Sequence, residues 1–206
     1  MNYLAHLYLS EDSEAALVGN LMGDFVKGRP ERLDYPPAML RGIVLHRRVD
    51  SFTDAHHVFR RSRERLDPPF RRFAGVIIDL AYDHFLARDW TVFSAEPLPA
   101  FAGRAYRALA RHHRHLPPRL QRVAPIMAEQ DWLCAYSQLE AVGRSLAGIS
   151  RRFRRETPLP AAIVELERLY LELEADFHRF MPDLTVFARG ERARLREAPD
   201  LLAGDP

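Results

Sequence analysis

Hydrophobic residues recur at helical spacing along almost the whole chain, and this periodicity constrains the fold more than any other feature of the sequence. No Asn-Gly or Asp-Gly pair marks a tight hairpin, and no alternating apolar and polar run is long enough for a convincing sheet. We therefore predict an all-α fold. Because neither an internal repeat nor a long linker divides the chain, residues 1–197 are predicted to form a single-domain helical bundle, followed by a frayed tail at 198–206.

Capping residues, glycines and prolines set the predicted helix boundaries. Ser13 and Asp54 can each cap the helix that follows, whereas Gly28 followed by Pro30 is a stop signal. The predicted helices span residues 2–9, 13–27, 36–50, 54–66, 68–90, 97–115, 117–130, 132–150, 158–180 and 183–197.

The composition excludes several classes of protein. A length of 206 residues with 47% hydrophobic residues suits one globular domain, and the single cysteine, Cys134, excludes an intrachain disulfide. The start of the chain lacks the basic segment of a signal peptide, and no apolar run approaches the roughly 18 residues of a membrane helix. We therefore expect a cytoplasmic protein without a membrane partner. The net charge of +2 gives no argument for a nucleic-acid partner.

Three predicted helices each carry two polar side chains four residues apart, so that both lie on one helical face. The pairs are Asn20 with Asp24, His46 with Asp50, and Asp79 with Asp83. Any one pair is also compatible with a solvated helix face. The surroundings weaken that alternative, because the helices that carry Asn20 and Asp79 are apolar nearly all round and are expected to be buried.

Buried carboxylates need a cationic partner. Asp79 and Asp83 would repel each other on one face, and a buried unpaired charge costs several kcal/mol. A metal ion or one of the many arginines is therefore expected beside them. Gly19 and Gly23, on the helix that carries Asp24, weaken that helix and so predict the close approach of another backbone.

His46 and Asp50 make a suitable pair for a divalent cation such as Mn²⁺ or Fe²⁺, or alternatively a hydrogen bond that holds a helix corner. Arg47 and Arg48 can face a phosphate or lie on the surface as ordinary charges. His6 lies in the apolar opening helix, where its ring needs a partner, either as a core histidine or as part of a site.

Five segments together resemble the acyl carrier protein phosphodiesterase family. They are residues 1–7, 19–28, 46–50, 53–54 and 79–90. This family is similar to the HD-type metal-dependent phosphohydrolases, which are all-helical. The resemblance implies hydrolysis of the phosphodiester that joins 4'-phosphopantetheine to a serine of holo-acyl carrier protein, giving apo-carrier and free 4'-phosphopantetheine. The order Asp83-His84 departs from the His-Asp order of the HD pattern, and it leaves the ligand set open.

The resemblance also implies roles for individual residues. The candidate ligands of one or two metal ions are Asp24, His46, Asp50, Asp79 and Asp83. The candidates for a general acid or base, or for a cation on the phosphoryl oxygens, are His6, His84, Arg47 and Arg48. Supporting roles are expected for Asn20 and Asp54. Mn²⁺ is the expected cofactor, with Fe²⁺ or Mg²⁺ as alternatives.

The resemblance implies holo-acyl carrier protein, which is acidic and helical, as the partner, and the arginines that crowd at 60–72 and 151–155 would suit it. The candidate partner-binding residues are Arg60, Arg61 and Arg63. The sequence leaves the oligomeric state open. Three alternatives are another HD-like hydrolase acting on a nucleotide or small phosphodiester, a non-enzymatic arginine-rich nucleic-acid-binding protein, and a helical regulatory subunit.

Overall fold

Helices make up all of the regular secondary structure in the computed structural model, which describes residues 1–197. The α-helices are α1 (Tyr3–Tyr8), α2 (Glu14–Met22), α3 (Pro37–Ala55), α4 (His57–Glu64), α5 (Ala74–Arg88), α6 (Trp90–Phe93), α7 (Leu98–Arg111), α8 (Pro118–Glu129), α9 (Trp132–Ala135), α10 (Leu139–Ser150), α11 (Ala162–Arg168) and α12 (Tyr170–Glu197). Short 3-10 helices lie at Pro30–Arg32, Arg71–Phe73, His113–His115 and Leu159–Ala161. The predicted all-α, single-domain fold is confirmed. The predicted tail at 198–206 lies outside the described residues.

The tightest helix pair in the fold is α2 with α3, and glycines make this approach possible. A β-carbon at Gly19 would lie no more than 2.7 Å from three backbone atoms of Met39, and one at Gly42 would meet the backbone of Ala16 and Asn20. Real β-carbons do not come this close to backbone, so both positions require glycine. The prediction of a close backbone approach is therefore confirmed at Gly19.

Helix α5 runs through the interior and packs against α1, α4, α10 and α12. Its side chains are buried on nearly every side, including Ile77, Ile78, Tyr82 and Phe85, as its apolar sequence predicts. This central helix delivers Asp79, Asp83 and His84 to the middle of the molecule. None of the helices within residues 1–197 is both long enough and apolar enough to cross a membrane.

Several predicted helix boundaries in the N-terminal half are wrong, including the start of the helix predicted at 68–90, which begins at Ala74. Helix α2 begins after its predicted cap Ser13, whose hydroxyl accepts from the Ala16 amide at 3.2 Å, but it ends at Met22 rather than at residue 27. The chain turns there because the amides of Phe25 and Val26 both bond to the carbonyl of Met22. This early end places Asp24 beyond the helix, in a turn.

Helix α3 continues to Ala55, so Asp54 does not cap the next helix as predicted. The cap of α4 is His56, whose backbone is extended and whose Nδ1 accepts from the amide of Val58 at 3.3 Å. No glycine or proline between residues 50 and 55 stops α3 earlier. Helix α12 likewise runs through Pro182, where a break was predicted, because Phe180, Met181 and Leu184 are buried around it and outweigh the lost hydrogen bond.

Candidate active site

Two histidines from different helices stack at the centre of a polar cluster. The rings of His6 on α1 and His46 on α3 lie with their centroids 3.7 Å apart and their planes 18° from parallel. Asp50, one turn after His46, lies against both: Oδ1 is 3.1 Å from Nε2 of His6, and Oδ2 is 3.2 Å from Nε2 of His46. Asp24 approaches Nε2 of His46 from the turn after α2, at 3.4 Å.

The burial of the cluster is uneven, and this leaves it open on one side. The side chains of His6 and His46 are almost completely buried, whereas those of Asp24 and Asp50 are 45% and 39% exposed. A substrate can therefore reach the carboxylates, while the imidazoles are held rigidly behind them. Gly23 makes room for this arrangement, because a β-carbon there would lie no more than 2.7 Å from Cβ, Cγ and Cδ2 of His46.

The α-amino group of Met1 completes the cluster on the side of α5. Its nitrogen lies 3.1 Å from Oδ1 of Asp79 and 3.3 Å from Oδ1 of Asp50. Although burial lowers the pKa of this ammonium group, Asp79 and Asp50 outweigh the effect and raise its pKa to about 10. Asp79 is thus joined to the cluster through Met1. Sequence reasoning missed this contact, because nothing in the order of residues indicates where the amino group lies.

The two histidines have opposite electrostatic environments. Burial, and then the charge of His46, lowers the pKa of His6 to about 4. Burial also opposes the charged form of His46, but the carboxylates of Asp24 and Asp50 reverse this effect and raise its pKa to about 9. Burial raises the pKa of Asp50, whereas the adjacent rings of His46 and His6 lower it far more, to well below the usual range. The pKa of Asp24 is lowered too, because His46 outweighs the effect of burial.

The donor set fits a divalent cation. One ligand atom from each of His6, His46 and Asp50 can be chosen so that all three lie within 4.8 Å of one another. Four polar atoms of the cluster are buried without a well-directed hydrogen bond: both ring nitrogens of His6, Nδ1 of His46 and Oδ1 of Asp79. Unsatisfied buried polar atoms are costly, so a cation that they could bind would stabilise this arrangement. Two imidazoles with carboxylates suit Mn²⁺, Fe²⁺ or a similar borderline cation.

Asn20 lies within α2, four residues before Asp24, and is completely buried. Neither its amide nitrogen nor its amide oxygen has a hydrogen-bond partner among the described residues. Its predicted supporting role remains a prediction. Asp54 lies one turn beyond Asp50 on α3, is largely exposed, and pairs with Arg63 at 3.4 Å.

Asp83, a predicted metal ligand, lies behind α1 rather than in the cluster. Its Oδ2 accepts from the amide of Leu4 at 2.8 Å, and its Oδ1 accepts from the amide of Ala5 at 3.0 Å. Burial raises the pKa of Asp83 to about 7, although these two amides oppose the shift. Both oxygens are thus engaged at the amino end of α1, where they satisfy amides that have no partner within the helix. The structure gives Asp83 the role of holding α1, and with it His6, in place.

His84, a predicted catalytic residue, is also placed away from the cluster. Its Nδ1 donates to the carbonyl of Tyr136 at 2.8 Å, and its Nε2 accepts from the hydroxyl of Tyr170 at 2.7 Å. The carbonyl can only accept, so Nδ1 carries the hydrogen. Burial lowers the pKa of His84. This neutral ring connects α5 with the end of α9 and the start of α12.

Neither Arg47 nor Arg48 faces the cluster, although a phosphoryl contact was predicted for them. Arg47 donates to the carbonyls of Gly28 at 2.7 Å and Val26 at 3.0 Å, and so supports the segment that follows Asp24. Arg48 forms an ion pair with Glu191 on α12. Both guanidinium groups hold the structure around the site together.

The three candidate partner-binding arginines divide between two environments. Arg61 pairs with the buried Asp176 at 2.6 Å, together with Arg65 at 2.8 Å, so Arg61 is structural. Arg60 and Arg63 instead line an open surface cavity of about 340 Å³ that also includes Asp54. This cavity begins one turn beyond Asp50, next to the polar cluster.

Comparisons with known proteins show which family the chain is similar to. The profile of the family described as acyl carrier protein phosphodiesterase matches residues 1–184. A protein of that name from Serratia proteamaculans is 38% identical over 195 residues, which cover 93% of this chain and all of the relative. A relative of the same name from Photorhabdus laumondii is 35% identical, and the match covers 88% of this chain and 92% of the relative. Another from Yersinia pestis is 34% identical, and the match covers 89% of this chain and 95% of the relative.

No solved structure matches this chain, so the expected similarity to HD-type phosphohydrolases stays a prediction. The family match extends well beyond residue 91, where the segments that carried the resemblance stop. A profile match over most of the chain, with curated relatives aligned along nearly their whole length, settles the family. The chain belongs to the acyl carrier protein phosphodiesterase family.

Proposed function

We propose that this protein hydrolyses the phosphodiester between 4'-phosphopantetheine and a serine of holo-acyl carrier protein, releasing apo-acyl carrier protein and free 4'-phosphopantetheine. The relatives' shared name supports this reaction. The observation that carries the proposal is the convergence of His6, His46 and Asp50, three potential ligands from two helices, at an accessible surface. The expected cytoplasmic location and the absence of nucleic-acid and membrane partners stay predictions.

We infer that the cluster holds a divalent cation, with Mn²⁺ as the first candidate and Fe²⁺ or Mg²⁺ as alternatives. His6, His46 and Asp50 would hold it, with Asp24 beside His46 and Asp79 joined to the group through Met1. When bound, such a cation supplies a Lewis acid for phosphoryl oxygens and activates water. Its charge would also compensate the carboxylates that meet here.

Several residues of the chain hold the imidazole rings of His6 and His46 in position. Asp50 holds both imidazole rings through its two oxygens, so that its loss would release His6 and His46 together. Asp83 holds the helix that carries His6, and Gly23 leaves the space that the ring of His46 occupies. The rigid placement of reacting groups is a large part of enzymatic rate enhancement, so these supporting contacts belong to the function.

The carrier protein would dock on an arginine face. The two arginine clusters predicted from the sequence meet, because the rings of Phe73 and Phe153 pack edge to face at 5.8 Å. Around this contact, Arg72, Arg154 and Arg155 line a surface cavity of about 310 Å³, and Phe153 is 50% exposed. An exposed aromatic ring surrounded by arginines suits an acidic helical partner.

The test is intact mass spectrometry of holo-acyl carrier protein after incubation with the enzyme, with Mn²⁺ or with chelator. The proposal predicts the loss of one 4'-phosphopantetheine mass with Mn²⁺ only. Unchanged holo-carrier with Mn²⁺, Fe²⁺ and Mg²⁺ would refute the reaction. Equal turnover with chelator would leave the reaction standing and refute the cation.

A further inference from the structure

A third cavity, of about 600 Å³, opens between the start of α1, α5, α9 and α10. Its volume lies within the range of roughly 300–1,000 Å³ that is typical of small-molecule sites. It is larger than the cavity beside Arg60 and the cavity beside Phe153. None of the cluster residues lines it, so its role is not explained by the metal site alone.

The cavity adjoins the cluster through residues that are next to cluster residues in the chain. Its lining includes Asn2 and Leu80. The residues that precede these two in the chain, Met1 and Asp79, contact each other in the cluster. Tyr3 lines the cavity as well. The pKa of Tyr3 is raised by burial and then by the charge of Asp24, whereas Arg152 opposes the shift, so this phenol lies within electrostatic reach of both the cluster and the cavity.

The lining combines three kinds of surface. Trp132 and Ile149 provide apolar area, and Ser145 provides a hydroxyl beside them. Arg144 and Arg152 add positive charge, and neither forms an ion pair with a carboxylate in the described part of the chain. A cavity with a mixed apolar and polar lining favours an elongated ligand that carries amides along an apolar chain.

We propose that this cavity binds the pantetheine arm of the carrier protein, so that the arm extends from a phosphodiester at the cluster along α1 into the space between α9 and α10. This inference rests on the proposed function. The arm has an apolar dimethyl group, two amides and a terminal thiol, which match the mixed lining. A concave site of this size fits a flexible arm better than the convex surface of a carrier protein.

Gly148 offers a direct test, because it lines the cavity and a β-carbon there would meet only the guanidinium of Arg151, at 3.7 Å. Gly148→Leu would therefore fill the cavity without a backbone clash, and it replaces a glycine inside a helix. Gly190→Leu is the matched control, because Gly190 is an exposed helical glycine on α12 with nothing within 4 Å of its β-carbon. Gly148→Ala is a milder second variant.

The measurement is calorimetric titration with pantetheine, which lacks the phosphate and so does not depend on the metal site. Wild type and Gly190→Leu are expected to bind it equally, whereas Gly148→Leu should bind at least about tenfold more weakly and Gly148→Ala should lie between, as expected for a site reduced in volume. Circular dichroism confirms that each variant is helical. Equal binding by Gly148→Leu, or no saturable binding by wild type up to millimolar pantetheine, would overturn the proposal.

The proposed function is tested separately, by the mass of holo-acyl carrier protein. If the carrier loses its arm but pantetheine binds equally to all variants, the function stands and this cavity is not the arm site. If pantetheine binds as expected but the carrier keeps its arm, the cavity is a pantetheine site and the proposed reaction is wrong.

Discussion

The imidazole of His46 occupies the space that a side chain at Gly23 would need. A β-carbon at Gly23 would lie no more than 2.7 Å from Cβ, Cγ and Cδ2 of His46. Because the ring is buried and stacked on His6, it has no free direction in which to move. Gly23 is therefore required because it leaves room for the ring of His46, and not only because it lies in the turn after α2.

Gly23→Ala is expected to displace the ring of His46 and to lower kcat/KM for holo-acyl carrier protein by about 100-fold, since misplacement of about 1 Å at a site can cost this much. The measurement is the rate of arm release by intact mass. The control is Gly75→Ala, because nothing lies within 4 Å of a β-carbon at Gly75. A Gly23→Ala enzyme as active as Gly75→Ala would contradict this role.

The sequence predicts the fold and the local part of the site well. Helical periodicity identified the helical regions but missed the breaks within 132–150 and 158–180, and i,i+4 spacing correctly placed His46 and Asp50 on one face. Both signals are local, because they follow from the geometry of a single helix. The stacking of His6 on His46 is not local, and the sequence could only indicate that His6 needed a partner.

The same spacing rule could not separate Asp79 from Asp83. Both lie on one face of α5, but Asp83 meets the free amides at the start of α1, which is distant in sequence, whereas Asp79 meets Met1. Arg60 and Arg61 are a similar case, because Arg61 forms an ion pair with the buried Asp176 whereas its neighbour Arg60 is exposed. Composition and periodicity do not reveal which buried charge each polar group meets.

Asp50→Asn should weaken binding of the cation, because the carboxylate lies against both imidazoles and supplies the negative charge between them. We expect at least about a tenfold loss of Mn²⁺ affinity, the size of effect that even outer partners of metal ligands show. The measurement is Mn²⁺ binding by calorimetry. Asp54→Asn is the control, because Asp54 lies one turn further on α3 and is exposed beside Arg63. Equal Mn²⁺ affinity of the two variants would remove Asp50 from the site.

Asp83→Asn should act on stability rather than on the cation. One oxygen would still accept an amide of α1, but the new NH₂ group would face the other amide donor, so we expect a loss of about 2–4 kcal/mol in the free energy of unfolding. Urea unfolding measures this loss, and Mn²⁺ calorimetry well below the transition should still show binding. A stable Asp83→Asn protein that no longer binds Mn²⁺ would restore Asp83 as a ligand.

Asp176 should make stability depend on pH in the acid range. Burial raises its pKa, but the Arg65 and Arg61 guanidinium groups and the Ser62 hydroxyl outweigh this and lower the pKa below its usual value. A lowered pKa in the folded state means that the stabilisation is complete above about pH 4 and is lost as the pH falls through the folded-state pKa.

Asp176→Asn should therefore cost about 3 kcal/mol at pH 7, and the difference from wild type should shrink towards pH 3. Urea unfolding at several pH values measures both quantities. The control is Asp183→Asn on the same helix, whose side chain is 61% exposed beside His56 and should change stability by no more than about 1 kcal/mol. A difference between Asp176→Asn and wild type that is constant with pH would show that Asp176 is not ionised in the folded protein.

The arginine face around Phe153 should control the affinity for the carrier and not the chemical step. Arg154 and Arg155 are exposed and lie beyond the polar cluster, so reversing their charge would weaken docking without moving His6 or His46. The double variant Arg154→Glu, Arg155→Glu is expected to raise KM for holo-acyl carrier protein about tenfold at low salt, with kcat nearly unchanged, because uniform binding energy is lost.

Wild-type KM should rise towards the variant value as salt is added, since salt screens exposed charges. Arg107→Glu, an exposed arginine on α7 outside this face, is the control. If KM is insensitive to salt and to the double variant alike, the carrier docks on another surface, and the arginines of this face serve solubility alone.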